Sequence, residues 1–143
     1  MTRAGPALVL ALALAAAVGG RASAQILDDD LSRMTEAGRA GVQVKEAADY
    51  IGGLNDHRRD PIRGCEIAEK AAPLRGDAQL LVGDCYRFGY GGVQSDSRAQ
   101  EAYEQAVKMG YEPARCALAS MLLVQSRDHE RARALCPTLA APK

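Results

Sequence analysis

Asp60 and Asp96 lie 36 residues apart, and so do Tyr50 and Tyr86, and Ala78 and Ala114. Self-similarity at this period is the mark of a helical-hairpin repeat, whose units cannot bury their apolar faces alone and stack on one another. The residues between these positions punctuate helices. Asp60-Pro61 supplies a cap and a proline at the first helical position, and Gly76 closes the segment that follows. Asp77 is placed to cap the next helix, which runs to Gly89, and Asp96 another, which ends at Gly110. Glu112-Pro113 opens a further helix, and Asp128 caps the last, which ends near Pro137. No segment carries the β-branched alternation of a strand. The expected fold is therefore all-α, a short α/α solenoid of antiparallel helix hairpins. Its repeats fall at about 42–76, 77–112 and 113–139, which is about two and a half units because "VQSRD" at 124–128 replaces the Gly-rich loop of the last one.

The first 24 residues are set apart from this pattern. Arg3 precedes an apolar run from Ala7 to Val18, and Ala22-Ser23-Ala24 has the small-x-small form of a signal-peptidase site. The run is too short for a membrane-spanning helix, which needs about 20 apolar residues. Residues 1–24 are expected to be a secretory signal, leaving 119 of the 143 residues and a new N-terminus at Gln25. Residues 25–41 are then an N-terminal helix, with Leu27, Leu31, Met34 and Gly38 at helical spacing to cover the first repeat. Asp28-Asp29-Asp30 is favourable at its positive end. Residues 42–139 form the solenoid and 140–143 a tail. Loss of Arg3 and Arg21 leaves 16 basic residues against 18 acidic, so nothing in the charge points to nucleic acid or an anionic membrane. With one phenylalanine, five tyrosines and no tryptophan, the core must be built from small aliphatic residues, which suits close-packed helices. The Ala- and Arg-rich leader is of bacterial type, and the expected location is the periplasm, or secretion.

The stretch "DAQLLVGDCYRFGYGGVQSDSRAQEAYEQAVKMGYEPARCALASML" resembles the Sel-one-like repeat, a relative of the tetratricopeptide repeat. The matching features are Ala78, Val82-Gly83, Tyr86, Gly89, Gly91-Gly92-Val93, Asp96, Ala99, Tyr103, Ala106 and Gly110. The first unit keeps Tyr50, Gly52-Gly53, Asp60 and "EKAA" at 69–72, and the third keeps only Ala114, Ala119 and a weak second helix. The resemblance implies a scaffold or adaptor in protein complexes, and some secreted bacterial members are cysteine-rich and cross-linked between helices.

Four cysteines, all in the exported part, favour disulfides in an oxidising compartment. There is no CxxC, CxxCH or zinc-type spacing, so no metal or cofactor is expected. Cys65 and Cys85 are 20 apart, centred on residue 75 in the turn expected at 74–77; Cys116 and Cys136 are 20 apart, centred on residue 126 in the turn expected at 125–128. In an antiparallel hairpin, residues equidistant from the turn lie level, here about 14 Å along each helix. Cys85 with Cys116 is disfavoured, since one repeat length sets them about 7 Å apart along parallel axes. The expected bridges are Cys65–Cys85 and Cys116–Cys136, each closing a loop worth about 3 kcal/mol of chain entropy.

Catalytic readings fare poorly. Gly89, Gly91 and Gly92 follow a helix and fit no phosphate-binding pattern. They are read as the corner of the repeat, with Gly89 ending its helix in the left-handed region. His57 and His129 stand beside no nucleophile, and Ser95, Ser97 and Ser120 lack an elbow or SxxK setting. What remains is a face: Gln79, Gly83, Arg87 and Tyr90 on one side of a helix, followed by Glu112, Arg115 and Ala119 on the next unit. Gln79, Arg87, Tyr90 and Arg115 are the candidate binding residues for a protein or peptide, in a non-enzymatic module or accessory subunit of a larger, membrane-associated complex. Two rival readings are a cell-wall hydrolase or penicillin-binding activity, as reported for some cysteine-rich relatives, and a redox partner with free thiols.

Overall fold

The structure, a computed structural model, describes the backbone of residues 6–125 and 128–140 and the side chains of 25–125 and 128–139. The described elements are six α-helices: α1 (Pro6–Gly52), α2 (Pro61–Ala71), α3 (Gly76–Phe88), α4 (Asp96–Lys108), α5 (Pro113–Val124) and α6 (His129–Leu135), followed by a 3₁₀ turn at Pro137–Ala140. Arg3 of the expected leader, residues 126–127 of the last turn and 141–143 of the tail lie outside the described residues. Among those described, no helix is long and apolar enough to cross a membrane.

Two units are distinguished along the chain, Met1–Glu36 and Ala37–Lys143. In the first, Ile26, Leu27, Leu31 and Met34 are all exposed. The expected N-terminal helix and the first helix of repeat one belong to a single helix, α1, with no break near 41. In the second unit each of α2 to α5 packs on its successor, and α3 also packs on α5. This arrangement fits a helical-hairpin solenoid.

Small side chains set the spacing. Ala40, Ala47, Ala68, Ala71, Ala78 and Ala102 form one buried cluster with Val82, and Tyr103, Leu118, Met121 and Leu122 anchor a second with Ala99, Ala119 and Ala132. Tyr86 packs against both. Close approach is tightest at two glycines. A Cβ on Gly64 would stand 2.7 Å from the Ala47 carbonyl oxygen, and one on Gly83 would stand 2.4 Å from Tyr103 Cε1.

The bridges form between Cys65 and Cys85 and between Cys116 and Cys136, with Cα–Cα distances of 5.9 and 4.9 Å. No cysteine is free, so the free thiols that a redox partner would need are not available in this state. Capping follows the sequence at Asp60 and Asp128, whose side chains accept from the backbone N–H of Arg63 and Arg131. Gly89 has φ 69° and ends α3 in the left-handed region.

Three punctuation marks, Asp96, Gly76 and Asp77, read differently in the structure. Ser95, not Asp96, caps α4, its hydroxyl accepting from Arg98 N. Gly76 opens α3 instead of closing α2, which ends at Ala71. The glycine serves contact, since a Cβ there would lie 2.7 Å from Tyr111 Cβ. Asp77 consequently sits in the first turn of α3, where it pairs with Arg75 at 2.7 Å and accepts from Ala78 N.

Gly83→Ala forces its methyl group into the Tyr103 ring and is expected to cost about 1–3 kcal/mol through overpacking. Urea unfolding of the oxidised protein checks this, with wild-type stability for the alanine variant as the contrary outcome.

Candidate functional site

Polar side chains join the helices where α3, α4 and α5 meet. Gly83 has no side chain, so the Tyr103 ring lies directly on α3 and carries its hydroxyl to Asp84, donating to Oδ1 at 2.6 Å. Burial pushes the Asp84 carboxyl above the usual aspartate value, and the Tyr103 hydrogen bond and the nearby Arg87 charge only partly oppose it. The Tyr103 phenol is held well above its usual range, first by burial and then by Asp84. One helical turn on, Arg87 Nη1 donates to Ser120 Oγ at 2.9 Å, and that hydroxyl donates to the Ala117 carbonyl at 2.8 Å. Arg87 thus ties α3 to α5 while its guanidinium stays 5.2 Å from the Phe88 ring.

Beyond Arg87 the two helix ends open into a recess of about 340 Å³ lined by Arg87, Phe88, Gln94, Asp96, Met121, Val124 and Gln125. Phe88 is 53 % exposed and Val124 77 % exposed, an apolar rim at the corner of the repeat. Gln94 Nε2 donates to the Arg87 carbonyl at 3.0 Å, fixing one wall. Gln125 Oε1 is buried with no hydrogen-bond donor among the described residues. The wall therefore presents apolar surface and an exposed carboxylate, which suits an apolar side chain in a polar setting.

The residues of the expected face divide along this strip. Arg87 lines the recess, and Tyr90 is half-buried beside it with its ring 5.4 Å from Phe88. Gln79 and Arg115 are half-buried. Gln79 stands in the first turn of α3 and Glu112 at the start of α5, whereas the recess lies at the other ends of those helices. Arg115 pairs there with Glu112 at 3.3 Å. Gly83 and Ala119, expected on the open face, are buried instead, the first under Tyr103 and the second at 0 % exposure in the core. The expectation treated one helix side as free, but packing of α4 and α5 claims half of it. Sequence reasoning passed over Asp84, Phe88, Ser120 and Val124. An apolar residue at a helix end is a visible signal for Phe88 and Val124, whereas Asp84 and Ser120 have no sequence signature.

A second, smaller recess of about 150 Å³ lies over the Cys65–Cys85 bridge, between Ile62, Glu66, Glu69, Tyr86 and Arg98. Two of its polar groups meet over the bridge: Tyr86 donates to Glu69 Oε1 at 3.0 Å, and Arg98 sits 5.3 Å from the Tyr86 ring centroid. His57 stacks edge-on against Tyr50 with ring centroids 4.4 Å apart, and His129 is exposed at the start of α6. Comparison of the chain with protein-family models, curated proteins and solved structures gives no match.

Tyr103→Phe leaves the half-buried Asp84 without its donor and is expected to cost about 1–3 kcal/mol in a urea titration at neutral pH. The Asp84 carboxyl itself gives a pH signature. Its folded value lies above 3.8, so folding takes up a proton between the two values, and stability from this group rises as pH falls through that window. Asp84→Asn keeps an acceptor for Tyr103 and removes the charge. Its stability relative to wild type is expected to be highest near neutral pH and to shrink on acidification, and a difference independent of pH would contradict the assignment.

Proposed function

We propose that this chain is a non-enzymatic protein–protein interaction module of the Sel-one-like repeat type, exported to the periplasm or secreted after loss of residues 1–24. In this reading it serves as an accessory or scaffold subunit of a larger envelope assembly. Two disulfides suit an oxidising setting outside the cytosol. The observation that carries the reading is the recess beside Arg87, where Phe88 and Val124 stand exposed on a frame that Asp84, Tyr103, Arg87 and Ser120 hold fixed. A small solenoid gains little from leaving a valine 77 % exposed next to an aromatic ring, and such a rim gains binding energy when a partner covers it. Arg87 and Asp84 are engaged with Ser120 and Tyr103 in holding helices together, and the exposed carboxylate of Asp96 stands on the rim as a polar contact for a partner, in keeping with a recognition surface.

A photo-crosslinking residue placed at Val124 in living cells is expected to capture a defined partner, whereas one at the exposed Glu101 does not. Val124→Asp is expected to weaken capture by the same photo-crosslinking residue placed at Phe88 about tenfold while helical content and both bridges persist. Equal capture from Val124 and Glu101, or recovery of the protein only as a free monomer, counts against the proposal.

A further inference from the structure

The two bridges have the same sequence spacing but differ in their surroundings. Cys65 and Cys85 are each 4 % exposed. The Gly-rich corner lies against the first of them, so close that a Cβ on Gly91 would stand 3.8 Å from Cys65 Sγ. A recess over this bridge is flanked by Glu66 and Glu69 and by Arg98, two carboxylates against one guanidinium, a balance that does not favour an incoming thiolate. At the second bridge the two ends are unequal. Cys116 is exposed, whereas Cys136 is 2 % exposed. Cys136 Sγ lies 3.2 Å from Thr138 Oγ1. A bridged sulfur carries no proton, so the threonine hydroxyl is the donor in that contact.

Thiol–disulfide exchange is governed by which sulfur can be reached and by how well the other departs as thiolate. Both requirements are met at one bridge, in one direction. We propose that Cys116–Cys136 is a reductant-addressable site, attacked at Cys116 by the thiolate of a dithiol reductant, with Cys136 as the leaving group. The reductant's sulfur bonds to Cys116 Sγ, the Cys116–Cys136 bond breaks, and its electron pair stays on Cys136. There the Thr138 hydroxyl stabilises the new thiolate until water protonates it. The reductant's second thiolate then attacks its own sulfur in the mixed disulfide, releasing Cys116 as thiolate and leaving the reductant oxidised. Two electrons pass from the dithiol to the protein, and reoxidation reverses the sequence.

The consequence is local. The bridge pins α6, seven residues long, to α5. Without it α6 is left with the contacts of Ala132 and Cys136 in the second core cluster and the Arg131–Glu104 ion pair at 2.8 Å. Glu104 is held below the usual carboxylate range first by Gln100 and then by Arg131, but the pair is largely solvated and weak. Reduction therefore loosens the terminal unit and uncovers Leu118 and Leu122 while the first two hairpins keep their own staple.

The test uses the oxidised full chain, limiting reduced glutathione as the probe, acid quenching, alkylation and peptide mass mapping. The expected first product carries glutathione on Cys116 and a free, alkylated thiol on Cys136, with Cys65–Cys85 still closed for about tenfold longer. Thr138→Val is expected to slow opening of the second bridge about fivefold and to leave the first unchanged. Hydrogen exchange after reduction is expected to rise in α6 and 137–140 while α2 to α4 stay protected. Opening of Cys65–Cys85 first or at the same rate overturns the proposal, as does an adduct on Cys136, an unchanged rate for Thr138→Val, or a uniform rise in exchange. The adduct position in the unmodified protein decides the matter even if the variant fails to fold.

Discussion

The ring of Tyr103 occupies the space that a side chain at position 83 would need, and the geometry of the second unit follows from that contact. With bare backbone at Gly83, α4 approaches α3 closely enough for the Tyr103 hydroxyl to reach Asp84 at 2.6 Å. That approach buries Asp84, and the burial raises its carboxyl more than the hydroxyl and Arg87 together lower it. Arg87, one turn further on, is drawn to Ser120 and brings α5 alongside at a fixed height. The recess beyond is thus a product of the packing below it. Its apolar rim at Phe88 and Val124 has the position it has because two helices end at heights set by a glycine, a tyrosine and an arginine.

Alanine makes the same point on a larger scale. The first cluster is mostly alanine, and each buried methyl group contributes little apolar area compared with a leucine or phenylalanine. Such a core keeps helices near but supplies modest stability, and a stack of under three hairpins has few interfaces to sum. Cross-links that close 20-residue loops reduce the entropy of the unfolded chain without requiring a larger core. The chain combines close approach, which needs small residues, with covalent staples, which compensate for what small residues fail to bury.

Much of the fold was legible because the relevant signals are periodic. The 36-residue spacing and the helix punctuation gave the hairpins, and the equidistance of each cysteine pair from its turn gave the bridges. Signals tied to one residue were read less well. Gly76 looks like a helix stop, but its lack of a side chain is used for contact with Tyr111. Ser95 and Asp96 are both good caps in adjacent positions, and only the backbone decides between them. The site was less legible still. Arg87 and Tyr90 were picked out, but Asp84 and Ser120 acquire their roles from partners 19 and 33 residues away, which no local pattern encodes.

Cys85 and Cys116 stand on α3 and α5, which pack on each other, yet each is bridged to a different helix. Direction keeps them apart: Cys85 faces back to α2 and Cys116 forward to α6. The same opposition explains why the bridges differ in exposure. Cys85 is 4 % exposed, and the Gly-rich corner of its own repeat lies against its partner Cys65. Cys116 faces a seven-residue helix at the end of the stack, in a unit that has lost that corner, and a shortened terminal unit has less chain with which to cover a sulfur.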